Sequence, residues 1–193
     1  MRWVIDKLWD GRPAEPGEIA TVEARWRDAD LLIVTIDAPL HGDPPPPPSV
    51  PTLVGAAEGL WNHEVVELFI ASADGRYLEL EVGPWGHALV LAFAAPRVRT
   101  ALGAGLASAT VTAHAPGGRW HAVIGVPSIL LPPAPHAANA CAIHGAGPAR
   151  RYLSATPLPG PHPDFHQPGR FAACAPGPPQ LGPGGRQGDP PKS

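Results

Sequence analysis

Apolar residues in this chain recur at every second position in short runs bounded by Gly, Pro or Asp, and helical spacing is almost absent. That pattern restricts the chain to an all-β fold. Ala20, Val22, Ala24 and Trp26 alternate with Thr21, Glu23, Arg25 and Arg27, which gives one strand a buried and a wet face. Residues 31–36 form a nearly continuous apolar run and predict a central strand covered on both faces, ending at Pro39. Residues 64–71 and 76–82 flank a turn at Ala73-Asp74-Gly75 and predict a hairpin. In it Val66, Leu68, Ile70, Leu78, Leu80 and Val82 share one face, and Glu67, Phe69, Tyr77, Glu79 and Glu81 share the other. Further strands are expected over 87–94, 110–114, 120–126, 139–144 and 151–154, about nine in all. With no alternation of strand and helix, they indicate an antiparallel two-sheet β-sandwich or jelly roll.

Composition decides where this fold stops. The chain has 193 residues with 22 glycines and 28 prolines, near the level at which disorder sets in. Five prolines run from Pro44 to Pro48 inside a long loop over 41–59, and eleven follow Thr156. The stretch 175–193 has almost nothing apolar to bury and is expected to be a disordered tail, leaving one domain over 1–174. A domain of that length buries a core without staples.

With 14 basic against 17 acidic side chains, and no basic run longer than Arg150-Arg151, the chain lacks the charge footprint of a nucleic-acid or anionic-membrane binder. The absence of a long apolar stretch and of a signal segment points to a soluble, cytoplasmic protein. Cys141 and Cys174 have no CxxC partner, so a zinc cluster is excluded and two free thiols are expected. The oligomeric state is not legible.

Three residue sets could carry chemistry. Six tryptophans stand against four phenylalanines. Trp3, Trp26 and Trp120 fall inside strand patterns and read as core, whereas Trp61 and Trp85 sit at turns, where an indole can stack on a sugar ring or a planar ligand. The carboxylates Glu64, Glu67, Glu79 and Glu81 form the second set, with Glu67, Glu79 and Glu81 on one hairpin face. They read as a solvated face, as an acid-base pair, or as oxygen ligands for calcium, although no DxDxDG-like loop is present and no cofactor is implied. Among nine histidines, His144 and His166 lie beside small or turn residues where an imidazole can face a cleft, or can simply be structural. There is no HExxH, GxSxG, GxGxxG or GxxxxGK[ST], which argues against zinc hydrolases, serine hydrolases and the common nucleotide folds.

Four blocks carry a resemblance: residues 59–69 (GLWNHEVVELF), 77–86 (YLELEVGPWG), 142–145 (AIHG) and 163–166 (PDFH). In order and spacing they resemble a family of small soluble proteins of bacteria and animals whose function is not established. That family is similar to family 9 carbohydrate-binding modules and the wider DOMON-like sandwiches, which implies a jelly roll over Trp3 to Ala173. In the sugar-binding modules two tryptophans clamp the sugar and a strand glutamate accepts hydrogen bonds from its hydroxyls. Trp61 and Glu67 match that pattern, and Phe165 stands where the second tryptophan would be. Glu79 and Glu81 stand where those modules present an arginine and an asparagine. Haem-binding relatives use an axial methionine, and the only methionine here is Met1.

The resemblance implies a non-catalytic module that binds a sugar or another small polyhydroxylated molecule. Its candidate ligand-binding residues are Trp61, Glu67, Glu79, Glu81, Trp85, His144, Phe165 and His166, with no metal and no catalytic residue assigned. A hydrolase using a Glu pair or a His is the alternative reading. A protein-interaction domain offering the Pro44 to Pro48 loop is a third.

Overall fold

The computed structural model describes residues 1–45, 57–102, 118–134 and 136–174, together with the backbone of 108–115. The expected tail over 175–193 and most of the proline run, 46–48, lie outside the described residues. The strands are β1 (Arg2–Ile5), β2 (Lys7–Leu8), β3 (Ala20–Trp26), β4 (Leu31–Pro39), β5 (Val65–Ser72), β6 (Tyr77–Val82) and β7 (Ala88–Ala95), followed by β8 (Val98–Thr100), β9 (Ser108–Ala115), β10 (Arg119–Pro127), β11 (His136–His144), β12 (Arg151–Ser154) and β13 (Ala172–Ala173). The only helical pieces among the described residues are three-residue 3-10 turns.

The strands form two antiparallel sheets. The first has the order β1-β3-β4-β10-β9, and the second the order β2-β12-β11-β5-β6-β7-β8 with β13 beside β11. Alternation puts one face of each sheet into a shared core. Val22, Ala24, Leu32, Val34, Ile36, Trp120 and Ile124 from the first meet Val66, Leu68, Ile70, Leu78, Leu80 and Leu153 from the second. Trp120 is fully buried there, and its indole N–H donates to the Pro39 carbonyl at 3.1 Å. β4 is central, as its composition predicts, but only Leu32, Val34, Ile36 and Ala38 are buried. Among the described residues no layer covers its other face, and Leu31 and Ile33 are half-buried despite being apolar.

An ionic clasp ties the entrance of the first sheet to the second. Glu18, in the 3-10 turn Pro16–Glu18 ahead of β3, accepts two hydrogen bonds from Arg151 of β12, at 2.7 and 2.9 Å. His144 Nε2 lies 3.1 Å from the same carboxylate, and the His144 ring stacks on His41 at 3.7 Å. Burial pushes the Glu18 carboxyl up, but Arg151 and the Glu15 backbone N–H outweigh it and hold the group at about 2. Burial, and the neighbouring His41, press His144 down to about 4.

The outer face of the second sheet is where the fold departs from a plain sandwich. Phe69, Tyr77, Leu89, Phe93, Cys141 and Ile143 project from it and are covered by Leu60 and by Leu158, Phe165 and Phe171 of the segment after β12. Every residue of β5 and β6 is therefore buried. The carboxylate face is thus not solvated: a folded-back segment closes over most of it.

Candidate functional site

That covering segment leaves a cavity of about 340 Å³ that opens to solvent. Its floor is the outer face of β5 and β6, and it is lined by Glu67, Glu79, Trp61, Tyr152, Phe165 and His166, among others. Each is held by a local device. Trp61 sits in the 3-10 turn Leu60–Asn62, which Gly59 enters at φ +82, a conformation suited to glycine. Leu60 plugs the second core, and the Arg150 guanidinium donates to the Trp61 and Asn62 carbonyls. Across the cavity, Gln167 holds its own segment by donating to the carbonyls of Leu158 and Asp164.

The three hairpin glutamates come together. Glu67 of β5 is the cross-strand partner of Glu81 on β6, and Glu79 lies two residues away on the same face. They are 2%, 0% and 4% exposed for Glu67, Glu81 and Glu79, and one oxygen from each lies within 4.8 Å of the others. Their lateral neighbours in register are Cys141, Leu89 and Leu91, which bring no strong donor. Burial, followed for Glu67 and Glu81 by the adjacent carboxylates, raises all three carboxyls. Burial likewise pushes the Cys141 thiol well up, so it is an inert core thiol; Cys141 and Cys174 are both free.

At the rim, Arg97 pairs with Asp164 at 2.8 Å and Arg99 with Glu58 at 2.8 Å. Arg99 also lies over the Trp61 ring, 5.2 Å from its centre, so a ligand stacking on that indole takes the opposite face or displaces the guanidinium. Tyr77 links floor to rim: its hydroxyl accepts from the Arg97 N–H at 3.0 Å and shares a 2.7 Å hydrogen bond with His166 Nδ1. Burial, and then the nearby Arg97 charge, press His166 down to about 4, so the ring is neutral.

Of the eight residues picked out in the sequence, Trp61, Glu67, Glu79, Phe165 and His166 line this cavity. Glu81 lies beside Glu67 and Glu79 without lining it. Two of the eight lie elsewhere. His144 belongs to the clasp with Glu18 and His41, because it follows Ile143 on β11 and alternation turns it elsewhere. Trp85 is half-buried in the turn after β6 and does not line the cavity. Phe165 is a buried ring set edge-on to Phe69 and Tyr152 rather than an open jaw. Glu64 is an anchor, accepting the His41 and Gly42 N–H groups at 3.0 and 2.7 Å. Sequence reading missed Arg97, Arg99, Tyr152 and Asp164; the Arg97/Arg99 spacing beyond Pro96 was the available signal for the first two.

No family model matches the chain. The fold is shared with a candidate carbohydrate-binding protein from Bacteroides uniformis, with a TM-score of 0.63 and 17% identity over 89% of this chain and 84% of that one. It is also shared with a family 9 carbohydrate-binding module from Caldicellulosiruptor kristjanssonii in complex with cellotriose, with a TM-score of 0.54 and 13% identity over 89% and 80%. At such identities the likeness shows the fold alone. Sequence relatives are nearer. UPF0462 protein C4orf33 homolog of Danio rerio is 32% identical over 174 residues, spanning 86% of this chain and 85% of its own. The human C4orf33 protein is 31% identical over 176 residues, spanning 86% and 83%. With that identity along most of both chains, this protein belongs to the UPF0462 family.

Proposed function

We propose that the cavity binds a sugar or another small polyhydroxylated molecule and does no chemistry on it. One observation carries the reading: an open cavity of about 340 Å³ combines the Trp61 ring with buried carboxylate acceptors on its floor. A sugar ring has apolar C–H faces and hydroxyl edges, and this lining offers a surface for each. Tyr152, Asp164 and His166 add polar atoms around the edge. Proteins sharing the fold were solved with glucose and with cellotriose, which supports the reading by analogy of fold. Catalysis by the glutamates fits less well, because glycoside hydrolysis places two carboxyls on either side of the bond to be cut. Glu67, Glu79 and Glu81 instead stand side by side on one floor.

The test is a titration of intrinsic tryptophan fluorescence with a panel of soluble sugars, wild type beside Trp61→Ala, with circular dichroism confirming that the variant is folded. Saturable binding that weakens about tenfold or more in the variant is expected, since losing a stacking ring costs about 1 to 3 kcal/mol. Absence of any saturable response in the wild type overturns the reading. Release of reducing sugar from a glycoside, lost in Glu79→Gln, would replace it with the hydrolase.

A further inference from the structure

Glu81 has no exposed surface, and among the described residues no N–H or O–H donor from outside the glutamate cluster reaches either of its carboxylate oxygens; Glu79 alone comes within hydrogen-bonding reach. The same holds for Oε2 of Glu79. A buried carboxylate normally collects donors from backbone or side chains, as Glu18 and Glu64 do in this chain. Here the company is the other two carboxyls, and carboxylates that meet stay together only with a proton or a metal cation between them.

We propose that Glu67, Glu79 and Glu81 together bind one hard divalent cation, calcium by preference, at the floor of the cavity. The donor set is all oxygen, which selects calcium, magnesium or manganese over zinc or copper. One oxygen from each residue lies within 4.8 Å of the others, so a single point lies within about 2.8 Å of all three, close to the calcium–oxygen distance. Magnesium demands oxygens at about 2.0 to 2.1 Å in near-ideal octahedral order, a stricter requirement on three side chains of one sheet face than calcium's flexible shell. Three protein oxygens leave the larger part of a six- to eight-oxygen shell unfilled. Because Glu67 and Glu79 line the cavity, those positions face it and are open to water or to ligand hydroxyls.

The arginines nearby do not already fill this role. Arg97 is bonded to Asp164, Arg99 to Glu58, and Arg150 to Tyr152 and to the carbonyls of Trp61, Asn62 and Gly145. None of these bonds goes to the three glutamates. The proposal stands apart from sugar binding, because a cation titration needs no sugar present.

The experiment uses the full chain stripped with EDTA and titrated calorimetrically with calcium chloride and, separately, magnesium chloride, with melting temperature followed in parallel. One saturable calcium site with an upward melting shift is expected, weaker in magnesium. Terbium, used as a calcium probe, should show luminescence sensitised by Trp61 and lose it in Trp61→Phe. Glu81→Gln and Glu67→Gln, each checked for fold by circular dichroism, should weaken calcium at least tenfold. Calcium that produces neither heat nor a melting shift in the wild type up to the millimolar range overturns the proposal. So does binding that both variants retain unchanged, since the cation would then lie elsewhere.

Discussion

Replacing Arg151 with leucine isolates the ionic clasp between the two sheets. The substitution keeps an apolar stem on β12 and removes the two hydrogen bonds that Glu18 accepts at 2.7 and 2.9 Å. Glu18 is 8% exposed, so its carboxylate is left with the Glu15 N–H and His144. The magnitude follows from the proton equilibrium. A carboxyl held at about 2 instead of its ordinary 4.5 represents about 3 kcal/mol of stability, and Arg151 supplies the largest favourable share of it. Arg151→Leu should therefore lose about 2 to 3 kcal/mol at neutral pH, in line with breaking other buried pairs.

The pH dependence separates charge from packing. A carboxyl depressed in the folded state stabilises above its unfolded value of 4.5, and that contribution fades as pH falls through about 2. The Glu18 part of the gap between wild type and Arg151→Leu should be constant above about pH 5, and the gap should narrow below it. His144 adds a second slope of the same sign: held at about 4 when folded and 6.5 when unfolded, it makes wild-type stability decline as pH drops between those values. Urea denaturation from about pH 7 to pH 3 reads both effects. A gap below about 0.5 kcal/mol at neutral pH, or one that does not narrow in acid, refutes the clasp as an electrostatic device.

Two further substitutions test the frame around the cavity. Gly145→Ala should destabilise by about 2 kcal/mol or more, because φ is +74 and an added Cβ would stand 2.4 Å from the Ala149 carbonyl oxygen; an unchanged melting temperature would show that the turn after β11 has room. Tyr77→Phe should cost about 1 to 2 kcal/mol by removing the shared bond to His166 and the acceptor for the Arg97 N–H, and equal urea midpoints would show that water replaces both.

All nine expected strands occur, because strict alternation is a direct imprint of a two-faced sheet. The strands missed were β1, β2, β8 and β13, of two to four residues, too short to show a period. β8 was further hidden by Pro96, which lies in the turn between it and β7 and interrupts the alternation. Reading one face of the β5–β6 hairpin as wet failed for a different reason. Its cover is the stretch from Leu158 to Phe171, whose apolar residues are spaced by prolines and follow no period. Nothing in the local pattern tells which surface such a segment will find. For the same reason Trp61 and Phe165 could be named separately, whereas Arg97 and Asp164, which meet only in three dimensions, could not. His144 could not be placed from sequence because a turn-adjacent residue is known to be near the surface, but not near which surface.

The placement of the glutamates also constrains how the cavity can respond to what enters it. Below them lies the paired backbone of the sheet, and beside them Cys141, Leu89 and Leu91. Glu67 and Glu79 line the cavity, so a positive or proton-donating group that enters it meets them from that side. On the two proposals made above, neutralising the floor and filling the cavity would be linked equilibria: a cation would change the affinity for a hydroxylated ligand by some factor, and that ligand would change the affinity for the cation by the same factor. Were the three carboxylates on the open face of an uncovered hairpin, water would screen them and no such linkage would arise. The segment folded over β5 and β6 creates the cavity and, by the same act, dries the floor. A proline-rich stretch with little local signature thereby turns a sheet face lined with carboxyls into the floor of a cavity.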